Sequence, residues 1–135
     1  MPVYAHNPAN VYRQTEAQSR TPLELVVMLY DGALRFSTLA RAAIERKDIP
    51  ARRDSVSRAL AIMSELQSTL DMEKGGAIAA SLDSLYVYVV GRLVDAAARQ
   101  DVQPVDDAMR VLTTLRDAWT EIAKPKVDGA PRTGR

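Results

Sequence analysis

The chain has 135 residues, 47% of them hydrophobic, a formal net charge of +1 and no cysteine. That length holds one domain with a modest core, and the apolar fraction excludes a disordered composition. The charge balance gives no general attraction to nucleic acid or an anionic bilayer. The missing thiols exclude disulfides and thiolate metal sites, and they suit a cytosolic protein.

Residues 1–20 carry Pro2, Pro8 and no sustained periodicity. They read as an irregular arm with at most a short helix near 11–18. The opening MPVYAHNPANVYRQ lacks a basic stretch followed by an apolar core, so no secretory signal is expected. The apolar runs further on read as too short and too broken by charge to insert in a membrane.

The first helix is expected from Thr21. Thr21 as N-cap, Pro22 at the first helical position and Glu24 make a capping-box signature. Leu25, Leu29, Ala33, Phe36, Ala40 and Ile44 follow helical spacing to about Lys47 and are expected to face a core. Asp48-Ile49-Pro50 breaks the pattern. A second helix is expected from Ala51, with Val56, Ala59, Leu60, Met63, Leu66 and Leu70 as its seam. Gly75 and Gly76 follow. They have the composition of an anion-binding loop, but Lys74 precedes them and a helix, not a strand, precedes Lys74. They therefore read as a turn, with Gly75 in the positive-φ position after the second helix. The third helix is expected from Gly76 or Ala77 to about Arg99. The fourth starts near Pro104 and repeats Val105, Ala108, Leu112, Leu115, Trp119 and Ile122 until Pro125. The expected architecture is all-α: an antiparallel up-down four-helix bundle over 21–123, an arm at 1–20 and a flexible basic tail at 124–135.

Two helices carry more apolar surface than one stripe. The third places Ile78, Leu82, Leu85, Tyr86, Val89 and Leu93 on one face, with Val90, Val94 and Val87 progressively further round. The first has Leu23, Val27 and Leu34 beside its core face. Such surplus along a whole helix marks a groove for a partner helix or a self-association surface.

Catalytic chemistry finds no anchor. The one histidine, His6, lies in the arm. Neither a Glu-x-x-His metal pair nor a zinc-protease motif exists, and no triad assembles on the helices. The chain is read as a non-enzyme that needs no cofactor and no metal.

The ordered combination of short motifs resembles the flagellin export chaperone family FliS. It comprises Asn7-Pro8 with Tyr12, TPLELVVMLYDGALRF, LDMEKGGAIAASLDSLYVYVVGRLVDAA with Leu70-Asp71 before the glycines, and Ala118-Trp119. The likeness runs from Asn7 to Ile122. Ala77 and Ser81 depart from residues common in the family, and the tail has no counterpart there. The resemblance implies a small helical bundle in the bacterial cytoplasm. Such a protein would bind the disordered C-terminal segment of flagellin as helix, prevent premature polymerisation and present it to the export gate protein of the flagellar type III apparatus. It also implies that the arm, through Val11 and Tyr12, covers the groove until client arrives. The expected client contacts are Val87, Val90 and Val94, with Ile62 and Leu66 bordering them and Tyr88 as a further contact. Leu23, Val27 and Leu34 form a second stripe for the client or for a homodimer. The alternative is a homodimeric structural or adaptor bundle that binds another amphipathic helix.

Overall fold

A computed structural model of the protein describes residues 21–124. They form α1 (Pro22–Glu45), α2 (Ile49–Ser68), α3 (Met72–Arg99) and α4 (Val102–Ala123). The arm, with Val11 and Tyr12, and the tail from 125 lie outside the described residues.

Each helix starts on a side-chain cap. At α1 the Glu24 amide donates to Thr21 Oγ1 (3.1 Å), and the Thr21 amide donates to Glu24 Oε1 (2.9 Å). The expected capping box is therefore formed, and it satisfies amides that no helical carbonyl can reach. Asp48, Asp71 and Asp101 cap the other three helices. Two boundaries differ from expectation because of these aspartates. Asp48 accepts from the Ala51 amide (3.1 Å), so α2 begins at Ile49 and Pro50 sits inside its first turn, where a missing N–H costs nothing. Asp71 accepts from the Lys74 amide (2.9 Å) and starts a single turn at Met72. Gly76, at φ 51° and ψ −127°, then breaks the helix before it continues to Arg99. The positive-φ glycine is thus Gly76 and not Gly75, and α2 ends on Thr69 in a right-handed conformation. A Cβ on Gly75 would come within 2.7 Å of Ala79 Cβ, so this position is small for packing reasons.

Connections of two or three residues force antiparallel neighbours. The helices close a ring in which α1 packs most extensively on α2, then on α4, while the α2–α3 seam is the thinnest. The core holds Tyr30, Met63, Leu66, Tyr86, Val89, Leu93 and Leu112. Buried alanines, among them Ala33 and Ala40 on α1 and Ala59 on α2, let the axes approach. Gly32 serves the same end, since a Cβ there would stand 2.9 Å from Ile62 Cδ1. The buried face of α1 is centred on Tyr30 and Ser37, rotated from the expected one, and Leu25 is 40% exposed. Ile78 (73% exposed) and Ile122 also leave the core, because both lie where their helices reach an open end of the bundle. By length and composition α3 is apolar enough to cross a bilayer, with a window of mean hydropathy 1.4, which corrects the expectation that no stretch is. In the fold it is a wall of the bundle.

Ion pairs fix the register of the seams. Arg41 donates to both Asp106 oxygens (Nε 2.6 Å, Nη2 3.2 Å), and Arg116 reaches Asp31 (3.2 Å), both between α1 and α4. Arg92 joins Asp107 (3.3 Å) between α3 and α4. Across α2–α3, Gln67 Nε2 donates to Asp83 Oδ1 (3.2 Å).

Candidate helix-docking surface

The Gln67–Asp83 hydrogen bond shows which flanks of α2 and α3 face each other. On α3, steps of four, three and four residues from Asp83 give Val87, Val90 and Val94, one continuous stripe. Val87 (56%) and Val94 (48%) are exposed, while Val90 is half-buried against the core. On α2 the matching flank runs from Gln67 through Ser64, Leu60 and Ser57 to Arg53. Leu60 is half-buried and packs on the core from this side. The three valines therefore share one flank beside the thinnest seam, with Leu60 opposite.

The expected α2 border is different. Ile62 points at α1, as its contact with the Gly32 position shows. Leu66 is completely buried and has no surface to offer a partner. Leu60, assigned to the seam from the sequence, is the α2 residue on this flank. It stands seven residues from Gln67, a spacing that became informative once the α2–α3 register was known. Tyr88 is exposed on the side of α3 away from the core, separate from the valine stripe. The expected second stripe is partly covered. Leu23, Val27 and Leu34 lie on the α1 flank that faces α4, all half-buried. Leu34 packs on the core, and Val27 shares a shallow groove with Thr120 and Ala123.

A second concavity went unread in the sequence. A cleft of about 290 Å³ opens at the end of the bundle where α1 begins and α2 turns into α3. Leu23 and Val26, Leu70, and Ile78 and Leu82 form its walls, with Tyr86 and Trp119 at its base. Beneath it, the Trp119 indole N–H donates to Tyr30 Oη (3.1 Å), and the Tyr30 and Tyr86 hydroxyls are hydrogen-bonded at 2.5 Å. This pair joins α1 to α3 across the diagonal. Burial, then the Tyr86 bond, pushes the Tyr30 phenol far above its ordinary value of 10.0, and burial likewise raises Tyr86. Both stay neutral. They are buried polar groups kept hydrogen-bonded in an apolar place. Among the described residues no three His, Cys, Asp or Glu side chains converge on a metal-sized site.

A four-helix bundle with an apolar flank and an apolar end cleft offers surfaces of the kind on which amphipathic helices dock. The comparisons with known proteins give the family. A sequence model described as "Flagellar protein FliS" matches residues 5–126. The chain is 35% identical over 116 residues to the flagellar secretion chaperone FliS of Salmonella typhimurium, covering 85% of this chain and 86% of that one. It is 38% identical over 113 residues to the Campylobacter jejuni chaperone (84% and 88%) and 35% over 115 residues to that of Bacillus subtilis (85% and 85%). The chain belongs to the FliS family of flagellar secretion chaperones, which are cytoplasmic and non-enzymatic.

Proposed function

We propose that this chaperone binds the disordered C-terminal segment of flagellin, which folds as amphipathic helix on the α2–α3 flank. Holding that segment prevents premature polymerisation, and the complex is then presented to the flagellar export gate protein. The observation that carries the reading is the stripe of Val87, Val90 and Val94 beside the thin α2–α3 seam, with Val87 and Val94 about half exposed. An ordering client loses several kcal/mol of conformational entropy, on the order of 2–5, so it needs a continuous apolar track and not an isolated contact. The end cleft extends the available apolar surface. Residues 1–20 act as an arm that lies over the docking surface, through Val11 and Tyr12, until client displaces it.

Calorimetry with a flagellin C-terminal peptide tests this directly. Binding at micromolar or tighter affinity is expected, and no heat at tens of micromolar with a folded chaperone overturns the proposal. Val87→Asp and Val94→Asp are each expected to weaken binding by about tenfold with an unchanged fold, since a buried unpaired carboxylate is strongly disfavoured in the complex. Deleting residues 1–15 is expected to speed association; an unchanged rate removes the arm's role and leaves the chaperone reading intact. Self-association is the second reading. It draws on Leu25, Met28 and Leu39, exposed along the outer face of α1. A dimer in sedimentation that dissociates with Met28→Glu would support it.

A further inference from the structure

One guanidinium of the bundle is buried without a counter-charge. Arg52, in the first turn of α2, is 9% exposed, and its Nε and Nη1 are enclosed and hydrogen-bond to nothing among the described residues. Arg92 and Arg116 also have an Nε without a hydrogen bond, yet both guanidiniums are paired with carboxylates. Arg52 has no such pairing. Arginine keeps its charge in proteins, so a buried one is strongly disfavoured until a carboxylate or phosphate meets it.

No carboxylate of the chain is placed to supply that group. At the end of the bundle formed by the α1–α2 and α3–α4 turns, the acidic side chains are already engaged. Asp48 accepts from the Ala51 amide (3.1 Å) and meets Arg46, Glu45 meets Arg41 (2.8 Å), Asp54 meets Arg58 (3.0 Å) and Asp101 accepts from the Gln103 amide (3.0 Å). Two more acidic side chains, Glu16 and Asp128, lie outside the described residues and attach at the far end. Glu16 stands five residues before Thr21, a reach of about 18 Å, whereas α1 is about 36 Å long. Asp128 stands four residues after Lys124, a reach of about 14 Å against about 33 Å for α4.

The surroundings of Arg52 say what kind of ligand fits. Lys47, Arg53 and Arg99 are exposed at the same end and make no ion pair among the described residues. Ile49, between Lys47 and Arg53 in sequence, is 42% exposed. A bare anion would leave Ile49 uncovered. A nucleic-acid backbone would meet few free cations on a chain whose net charge is only +1. We infer that this end of the bundle docks an acidic segment of a protein partner: Arg52 donates to one of its carboxylates, Lys47, Arg53 and Arg99 attract the others, and an apolar side chain of the segment covers Ile49. The fork of a guanidinium suits a carboxylate, and desolvation strengthens the pair. The site does not rest on the client reading.

The test uses the full-length chain and a short amidated peptide of glutamates around one leucine, followed through the Nε–H resonances of the arginines. The Arg52 signal is expected to move downfield on titration, and binding to weaken about tenfold from low to physiological salt. An unmoved Arg52 signal overturns the site. Arg52→Met is expected to weaken the peptide by about thirtyfold or more, with a melting temperature unchanged or higher, because it removes an uncompensated buried cation. A markedly lower melting temperature would mean that Arg52 already serves the fold, and it overturns the site. Lys47→Glu, at an exposed position, is expected to weaken the peptide about threefold, and equal binding by both variants and the parent overturns the proposal. Both variants should bind a flagellin C-terminal peptide as the parent does; loss of that peptide would make this end part of the client surface and overturn a separate site. An Arg52 signal that moves equally with inorganic phosphate at the same concentration, an adventitious ion only, overturns protein docking. Tighter binding of a single-stranded oligonucleotide, or of vesicles containing phosphatidylserine, does the same.

Discussion

At the end of the bundle richer in arginine and lysine, its basic end, the two reversals place Lys47 (φ 59°) and Gln100 (φ 51°) in the left-handed region; at the opposite, acidic end the positive φ falls on Gly76, after the first turn of α3. The difference continues inward. Under the basic turns sit Ile44, Ala96 and Val105, a small and closed cluster. Under the acidic turn the packing opens into a cleft lined by Tyr86 and Trp119, both hydrogen-bonded to Tyr30 beneath it. Tight turns and alanines close one end. Aromatic side chains with their polar atoms satisfied allow the other to stay open without exposing orphaned hydroxyls.

Core truncations give the largest expected change. Met63→Ala, from the fully buried centre, and Ile44→Ala, from the basic cluster, should each cost about 2–5 kcal/mol in urea unfolding. A Met63 effect no larger than that of Ile44 would contradict the view that the aromatic half carries the main core. Tyr86→Phe leaves a buried hydroxyl partner short of one bond and should cost about 1–3 kcal/mol, read through Trp119, the only tryptophan. The turns should respond with opposite signs. Gly76→Ala is expected to destabilise by about 1–3 kcal/mol, whereas Lys47→Gly should stabilise by about 1 kcal/mol, because a Cβ is disfavoured in the left-handed region.

The ends should also separate by pH. Tyr30 and Tyr86 have folded values above the ordinary 10.0, so the unfolded chain loses phenolic protons first. Stability from this pair is complete below pH 10 and falls as pH rises beyond it. In an alkaline absorbance titration these two of the five tyrosines should ionise only with unfolding. At the basic end, Arg41 donates to Asp106 and lowers its carboxyl below the ordinary 3.8. That contribution is present above 3.8 and is lost as pH falls through the depressed value. Asp106→Asn should therefore flatten the acid limb of the stability profile. It is the smallest of these effects, since the pair is partly solvated.

Much of the fold was legible because its signals are local. Thr21-Pro22-Glu24 specified the start of α1, and Asp48, Asp71 and Asp101 stand at the other three starts. Asp48 and Asp71 start α2 and α3 before the points that Pro50 and the glycines suggest. Periodicity identified Val56, Ala59, Met63 and Leu66 on α2, a helix with one clean apolar face. It was less informative on α1 and α3, whose apolar arcs are wide: Leu25 and Ile78 fit the pattern as well as Tyr30 and Ala79 do. Burial there depends on rotation about the helix axis, which neighbouring helices set. The apolar flank beside the α2–α3 seam was legible only on α3. Val87, Val90 and Val94 follow from one helix's own spacing. Placing Leu60, and neither Ile62 nor Leu66, on the flank that faces these valines required the register of two helices, and no single-helix pattern contains that.

The thin α2–α3 seam has a thermodynamic consequence. A wall of the ring that shares little contact with one neighbour opens at lower free energy than the rest. The amides of 87–94 on α3 should then exchange hydrogen sooner than those of α1, which packs on two close neighbours. Any helix that settles on this flank supplies the absent contacts, so part of its binding energy is the chaperone's own folding energy. The melting temperature should climb with ligand concentration, about 2.7 kcal/mol of added stability at a hundredfold excess over the dissociation constant. In the cell, the unliganded chaperone would be the less durable species, and its lifetime would follow the supply of cargo.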